Sequence, residues 1–180
     1  MEQLIMRWKN DGTEPAPLPS LPSLTVKNWN ETDRPLDKWL DIVRYGLSEK
    51  KEDEAFWHAC NKEEHPSYQP SDCYFFLWNG EEVGTATVIR DTDRKEGYLH
   101  MVALKEEARG LGIGNYMAAF AVKVLKDSSM DTAYLTTDDS RIPAIKSYLK
   151  SGFYPDRSTA DFQSRWDAIE ALLKKNTNES

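Results

Sequence analysis

Cysteine and histidine are scarce in this chain, whose 180 residues include two Cys and three His. Cys60 and Cys73 are not in a CxxC spacing, and with so few histidines they leave no ligand set for zinc. We therefore expect no metal, and we expect both cysteines to be free thiols in a reducing compartment.

Long hydrophobic runs are also missing. No window approaches the roughly 20 apolar residues that a membrane-spanning helix needs. The N-terminus does not resemble a signal peptide, because Met1-Glu2-Gln3 is not basic and the short apolar run that follows is interrupted by Arg7. The sequence therefore predicts a cytoplasmic protein that does not bind membranes.

Positive charge is in deficit, with a formal net charge of −7 and a sequence pI near 5.1. This balance disfavours nucleic acid or an anionic membrane as the main partner. Hydrophobic residues make up 39% of the chain, which is enough for one folded domain over residues 1–180. We expect an extended N-terminal segment at 1–23, where prolines are dense, and a C-terminal helix at 161–175.

What the sequence does contain is a glycine-rich loop between a strand and a helix. Residues 109–114 read Arg-Gly-Leu-Gly-Ile-Gly; they follow an apolar run at 98–104 and precede a helical pattern that opens at Asn115. Glycines let backbone N–H groups turn toward one point, and a helix N-terminus adds unpaired amides and a positive dipole end. The loop is thus a candidate anion site. It matches neither a Walker loop nor a dinucleotide fingerprint.

Other local signals place strands and turns. Asn79-Gly80 between the apolar runs 73–78 and 82–90 predicts a two-residue hairpin. The run 133–137 predicts a further strand, and Gly152 suits the left-handed residue just after a helix.

The loop spacing Arg-x-x-Gly-x-Gly, with Arg109, Gly112 and Gly114 on its fixed positions, resembles the acyl-CoA pyrophosphate loop of the GNAT superfamily of N-acetyltransferases. A second segment, Ala-x-x-x-Tyr148-x-x-x-Gly-Phe, is similar to another signature of the family. Residues 137–145 resemble a bacterial-type subgroup with a Thr-Asp-Asp-x-Arg-x-Pro-Ala-Ile segment. The resemblance covers about residues 73 to 154.

This resemblance implies an α/β fold with three layers (αβα). Its mixed, mostly antiparallel sheet of about six to seven strands would be splayed at the family's fourth strand, where acetyl-CoA enters. A GNAT usually finishes with a long antiparallel strand pair, and in this chain the helix at 161–175 is predicted to take that place.

The resemblance also implies which residues hold the cofactor. They are the end of the fourth strand, the glycine loop and the start of the following helix: Val102, Ala103, Leu104, Arg109, Gly110, Leu111, Gly112, Ile113, Gly114 and Asn115. Arg141 stands where many GNATs carry an asparagine that contacts the cofactor. Its guanidinium would bind a cofactor phosphate or pair with Asp138 or Asp139. The alternative for the whole loop is an ordinary glycine turn into a helix.

Two residues are candidates for proton transfer. An amine acceptor with a pKa near 10 is mostly charged at pH 7, so a proton must be removed, and the leaving thiolate needs one. The family's usual acid falls on Tyr148, although an aromatic in that helical stripe also suits a core. His100 is the candidate base; it interrupts an apolar strand on the parity of Tyr98 and Val102, and it could equally be a satisfied core residue.

The sequence thus predicts direct transfer of acetyl from acetyl-CoA to a primary amine, carried by a small molecule or a peptide. No covalent intermediate is expected, because neither cysteine lies at a matched catalytic position. The protein could form a homodimer, as family members often do. Two alternatives stay open: a non-catalytic acyl-CoA-binding sensor on the same fold, and a nucleotide-binding module.

Overall fold

One mixed sheet organises the molecule, in the order β2-β3-β4-β5-β6-β1-β7. The computed structural model describes residues 2–48 and 51–178. Its strands are β1 (Leu4–Lys9), β2 (Leu24–Asn28), β3 (Cys73–Trp78), β4 (Glu81–Asp91), β5 (Glu96–Leu104), β6 (Thr132–Thr137) and β7 (Tyr154–Pro155). Its α-helices are α1 (Pro35–Val43), α2 (Glu54–His58), α3 (Ile113–Asp127), α4 (Ile142–Lys150) and α5 (Ala160–Asn178).

Neighbouring strands are antiparallel except β5 and β6, which are parallel. These two pair only from Glu96 opposite Thr132 to Leu99 opposite Leu135. Beyond that point they part, which confirms the splay predicted at this strand. We call the space between β5 beyond Leu99 and β6 beyond Leu135 the strand gap.

Helices cover the sheet on both faces. On one face α3, α4 and α5 pack through Ile113, Met117, Ile145, Phe162 and Trp166 among others. On the other face α1 and α2 pack through Trp39, Ile42, Val43 and Trp57. The result is the three-layer α/β arrangement expected from the sequence.

Several local predictions are confirmed. Asn79 and Gly80 have φ of 51° and 86°, as a two-residue hairpin turn between β3 and β4 requires. Gly152 has φ 94° directly after the end of α4. The helix after the glycine loop begins at Ile113, two residues before the start predicted at Asn115.

The N-terminal strand has a place that the sequence did not indicate. β1 lies between β6 and β7 and pairs antiparallel with both. β7 is only two residues long, and α5 follows it. After β7 the chain continues into α5 (Ala160–Asn178), the helix that was expected at 161–175 in place of a long terminal strand pair. The segment expected to be extended at 1–23 thus holds β1, and the proline-rich stretch that follows at 10–23 has no regular secondary structure.

None of the helices within residues 2–48 and 51–178 is both long enough and apolar enough to cross a bilayer.

Candidate active site

A β-bulge in β5 reverses the direction of its side chains beside the strand gap. Thr87 lies opposite His100 and Thr85 lies opposite Ala103, so two residues of β5 face one of β4. Met101, inside the bulge, has φ 49°.

The bulge separates two residues that the sequence placed together. Tyr98 and His100 lie on the face covered by α1 and α2, whereas Val102 packs against the core under α3. The predicted shared parity of His100 and Val102 is therefore wrong, because the extra residue at the bulge shifts the alternation by one. Ala103 returns to the α1 side and Leu104 to the α3 side.

The glycine loop connects β5 to α3 through a 3₁₀ turn at Glu106–Ala108. Gly110 and Gly112 have φ of 79° and 83°, a region that only glycine occupies at low cost. Gly114 lies in the first turn of α3 without such a φ, and a Cβ there would be 3.7 Å from Ser147 Oγ, an ordinary contact. Backbone geometry therefore requires glycine at 110 and 112 and tolerates alanine at 114.

Backbone amides are left free along this loop. The Arg109 N–H donates to the carbonyl of Glu106 at 3.1 Å, and the next amide to donate is that of Tyr116, to Gly112 at 3.2 Å. Within the part of the chain that the structure describes, the N–H groups of residues 110–115 donate to no protein acceptor. A run of free amides at the N-terminus of a 15-residue helix is a site for an anion.

Two arginines approach the same turn beyond α1. Arg109 Nη2 donates to the carbonyl of Tyr45 at 3.5 Å, and Arg141 donates to the carbonyl of Gly46. Arg141 also pairs with Asp138, at 3.1 Å between Nε and Oδ2, as one of the two predicted alternatives has it. Asp139, the second carboxylate named for this ion pair, pairs with Arg165 of α5 instead; the contact of Arg141 with a cofactor phosphate stays a prediction.

His100 is buried, and the hydrogen bond of its ring shows which nitrogen carries the proton. The ring donates from Nε2 to the carbonyl of Cys60 at 2.9 Å, so Nδ1 carries the free lone pair. Cys60 belongs to a π-helical turn at Ala59–Glu63 that continues α2. Burial and the neighbouring His65 lower the pKa of His100 to about 4, so the ring is neutral at pH 7.

The rings around His100 form a contiguous group on the α1 and α2 face. Tyr98 and His65 lie 4.9 Å and 4.7 Å from it, measured between ring centroids. Tyr134 of β6 stacks on Tyr98 at 4.5 Å. His65 is half-buried, and burial lowers its pKa as well.

Tyr148 lies in α4, in the core on the opposite face from His100. Burial raises the pKa of its phenol to about 12, with a small opposing effect of the Arg141 guanidinium. The structure therefore does not bring Tyr148 and His100 into contact; it places them on the two faces of the sheet. Because β5 and β6 part at His100, a ligand in the strand gap is open to both faces.

One contact ties α4, beside Tyr148, to the residues that follow the glycine loop. Ser147 Oγ donates to Asn115 Oδ1 at 2.8 Å, which links the first turn of α3 to the middle of α4. Sequence reasoning missed Ser147, as it missed Gly46 and the Cys60 carbonyl. No local pattern marks them, since each acts through a residue distant in the chain.

The strand gap of this three-layer α/β fold is thus bordered by free helix amides, two guanidiniums, a neutral imidazole and a protonated phenol. The structure shows no group of three His, Cys, Asp or Glu side chains that could hold a metal ion in residues 2–48 and 51–178. The sequence pattern of the acetyltransferase (GNAT) family matches residues 26–153. The chain belongs to this family, which confirms the resemblance.

Individual relatives are more distant. A mycothiol acetyltransferase from Arthrobacter sp. (strain FB24) is 31% identical over 80 residues, which are 44% of this chain and 22% of that protein. The chain spans less than half the length of the curated relatives that it matches.

Solved structures agree in fold. A GCN5-related N-acetyltransferase from Sphaerobacter thermophilus has a TM-score of 0.66 and 17% identity, covering 86% of this chain and 48% of that one. An acetyltransferase from Bacillus subtilis in complex with CoA has a TM-score of 0.55 and 21% identity, covering 73% and 76% of the two chains. At these identities the likeness establishes the fold alone.

Proposed function

We propose that this chain is an N-acetyltransferase that moves an acetyl group from acetyl-CoA directly to a primary amine. The observation that carries the proposal is the run of free amides at 110–115, set at the start of α3 beside the strand gap. These amides suit a pyrophosphate, which is the charged part of CoA. The relative from Bacillus subtilis solved with CoA supports this assignment.

The remainder of the cofactor site follows from β5. Residues 100–104 pair with β4 on one side, but β6 pairs with β5 only as far as Leu99. The backbone groups of Val102 and Leu104 that face the gap are therefore available to an extended amide chain, as an added strand would use them. Pantetheine is such a chain. Arg109 and Arg141 add positive charge at the mouth of the gap.

Proton transfer divides between the two faces. A neutral amine enters from the α1 and α2 face and attacks the thioester carbon; its nitrogen then loses a proton to Nδ1 of His100 as the C–N bond forms and the C–S bond breaks. The thiolate leaves with the bonding electron pair and takes the proton of the Tyr148 hydroxyl. A phenol whose pKa is raised to about 12 stays protonated at neutral pH, as a donor must.

A covalent enzyme intermediate is not part of the proposal. Burial raises the pKa of the Cys73 thiol to about 11 and that of Cys60 to about 12. Both thiols are protonated at pH 7 and are poor nucleophiles. The acceptor would be a small-molecule or peptide amine, and the cytoplasmic location and a homodimer stay predictions.

Two measurements test the function. Calorimetry would compare CoA with ATP, and a thiol reagent would follow CoA release from acetyl-CoA across a panel of polyamines, amino sugars, amino acids and peptide N-termini. We expect CoA to bind more tightly than ATP and at least one amine to give saturable release. CoA binding without release for any amine would indicate the acyl-CoA sensor instead, and tighter ATP binding would indicate a nucleotide module.

A further inference from the structure

Two imidazole rings lie side by side on the α1 and α2 face, and the proposed function uses only one of them. The ring centroids of His65 and His100 are 4.7 Å apart, with 63° between the ring planes. Two five-membered rings at this distance are in contact, so a proton can pass between them directly or through one water molecule. Within residues 2–48 and 51–178, the His65 ring forms no hydrogen bond, so its basic nitrogen is uncommitted.

One short segment makes two contacts with His100. The Cys60 carbonyl accepts the His100 Nε2–H at 2.9 Å, and five residues later His65 places its ring against the same imidazole. Pro66 restricts the backbone of His65 to extended conformations, and the His65 carbonyl accepts the Tyr68 N–H at 2.9 Å. The π-helical turn that orients His100 therefore also leads into a fixed position for His65.

The two rings differ in their access to solvent. His100 is only 8% exposed and its Nε2 is already bonded, so a proton taken up by Nδ1 is poorly solvated where it arrives. His65 is half-buried, and the exposed Glu64 next to it opposes the lowering of its pKa by burial. A proton is therefore more stable on His65, which is closer to water and to a carboxylate, than on His100.

The other titratable groups around His100 are poor proton acceptors. The Tyr98 ring lies 4.9 Å away between centroids, and burial raises the pKa of its phenol, which thus already carries its proton at pH 7. Burial likewise raises the pKa of the Cys60 thiol to about 12. Among the titratable side chains that the structure describes against His100, His65 is the one with a free basic site at pH 7.

We propose that His65 is the proton-exit residue of this site: it takes over the proton that His100 removes from the amine and passes it to water. This inference rests on the proposed function for the source of the proton. The N–H bond of the amine breaks as the Nδ1–H bond of His100 forms. That proton then moves to a ring nitrogen of His65, which releases one proton to water, so both rings return to the neutral form. His65 acts through His100 and does not contact the amine.

The test compares His65→Ala with His65→Phe in turnover with an amine that the wild type acetylates. Neither variant has a proton acceptor at position 65, so turnover falls about 10- to 100-fold in both, whereas CoA affinity by calorimetry stays within about twofold. Added imidazole restores the turnover of His65→Ala in proportion to its concentration, because it enters the space of the missing ring. It does not restore His65→Phe, whose ring fills that space. A purely structural role of His65 would not respond to a free base.

The control is His58→Gln, which removes a half-exposed imidazole beside Glu63 and leaves turnover unchanged with or without imidazole. If His65→Ala keeps the turnover of the wild type, or if imidazole does not restore it, the inference is wrong while the proposed function stands. A loss in Tyr98→Phe that imidazole reverses, with none in His65→Ala, would assign the exit to Tyr98 instead. If the wild type acetylates no amine, the proposed function fails and this inference fails with it.

Discussion

His100 donates through Nε2 to the carbonyl of Cys60 at 2.9 Å, and this bond fixes which nitrogen of the ring is basic. The carbonyl comes from the π-helical turn after α2, so the helix that covers the sheet also sets the tautomer of the candidate base. Nδ1 is left as the proton acceptor. A neutral ring over the whole physiological range follows from its burial.

The first prediction concerns stability against pH. Burial lowers the pKa of His100 from 6.5 to about 4, so the unfolded chain binds the proton more readily than the folded one does. Stability linked to this residue is fully present above pH 6.5 and is lost as pH falls toward 4, by about 3 kcal/mol in total. Urea unfolding of the wild type and His100→Gln at pH 7.5, 6 and 4.5 measures it.

We expect His100→Gln to keep a donor toward Cys60 and to lose less stability between pH 7.5 and pH 4.5 than the wild type. Equal losses in the two proteins would show that His100 is not buried as a neutral ring. The matched control is His58→Gln, because the His58 side chain is half-exposed and lies beside Glu63 on the surface.

The second prediction compares two of the three glycines of the loop. Gly112→Ala forces alanine into φ 83°, which costs about 1 kcal/mol or more and distorts the free amides, so CoA affinity falls about tenfold or more. Gly114→Ala meets only an ordinary contact with Ser147 and leaves CoA affinity within about threefold. Calorimetry of both variants with CoA is the measurement. Similar losses in both would show that the loop conformation is not what holds the cofactor.

Several turns and loops of this fold could be predicted from the conformational preferences of single residues. Asn79-Gly80 predicts its hairpin because both residues accept positive φ, and the alternating glycines before α3 predict a loop with free amides for the same reason. The bulge at Met101 could not be predicted, because methionine has no preference for φ near 49°. A single extra residue there moved His100 and Val102 to opposite faces of the sheet.

The features that could not be predicted from the sequence depend on contacts between distant parts of the chain. Arg141 and Gly46 are 95 residues apart, and Arg109 and Tyr45 are 64 apart, so no spacing rule connects them. The position of β1 beside β6 could not be predicted either, because an apolar run such as residues 4–8 fits many strand positions. Sequence motifs located the glycine loop, and the pairing of distant strands determines which residues surround it.

The third prediction uses two threonines of β4. Thr85 Oγ1 donates to the carbonyl of Tyr74 at 3.0 Å. Thr87 Oγ1 is buried and has no well-formed hydrogen bond in the described part of the chain, although the Cys73 thiol lies close enough for its pKa to be lowered by this hydroxyl. We expect Thr85→Val to destabilise the protein by about 1–2 kcal/mol and Thr87→Val to be neutral or stabilising by up to about 1 kcal/mol.

Thermal and urea unfolding of the two valine variants give this comparison directly, because the change in shape is the same at both positions. A clear destabilisation by Thr87→Val would mean that its hydroxyl has a hydrogen-bond partner such as an internal water molecule. Such a water molecule would lie close to His100, because His100 is opposite Thr87 in the β4–β5 pair.

The last prediction tests the phenol of Tyr148. Its ring packs in the core, and no residue in 2–48 or 51–178 forms a hydrogen bond with its hydroxyl, so Tyr148→Phe keeps the packing. Folding stability and CoA affinity are expected to stay close to those of the wild type. Turnover with a validated amine falls about 10- to 100-fold, because the thiolate must then leave without a positioned proton donor.

Steady-state kinetics, calorimetry and unfolding of the same variant separate these three effects. Tyr154→Phe is the matched control, since Tyr154 is 48% exposed on the short edge strand and loses the same atom. A thioester whose thiol is more acidic needs a proton donor less. With such a substrate we therefore expect a smaller difference in turnover between Tyr148→Phe and the wild type. Unchanged turnover with acetyl-CoA would remove Tyr148 from the mechanism and leave water in the strand gap as the proton donor.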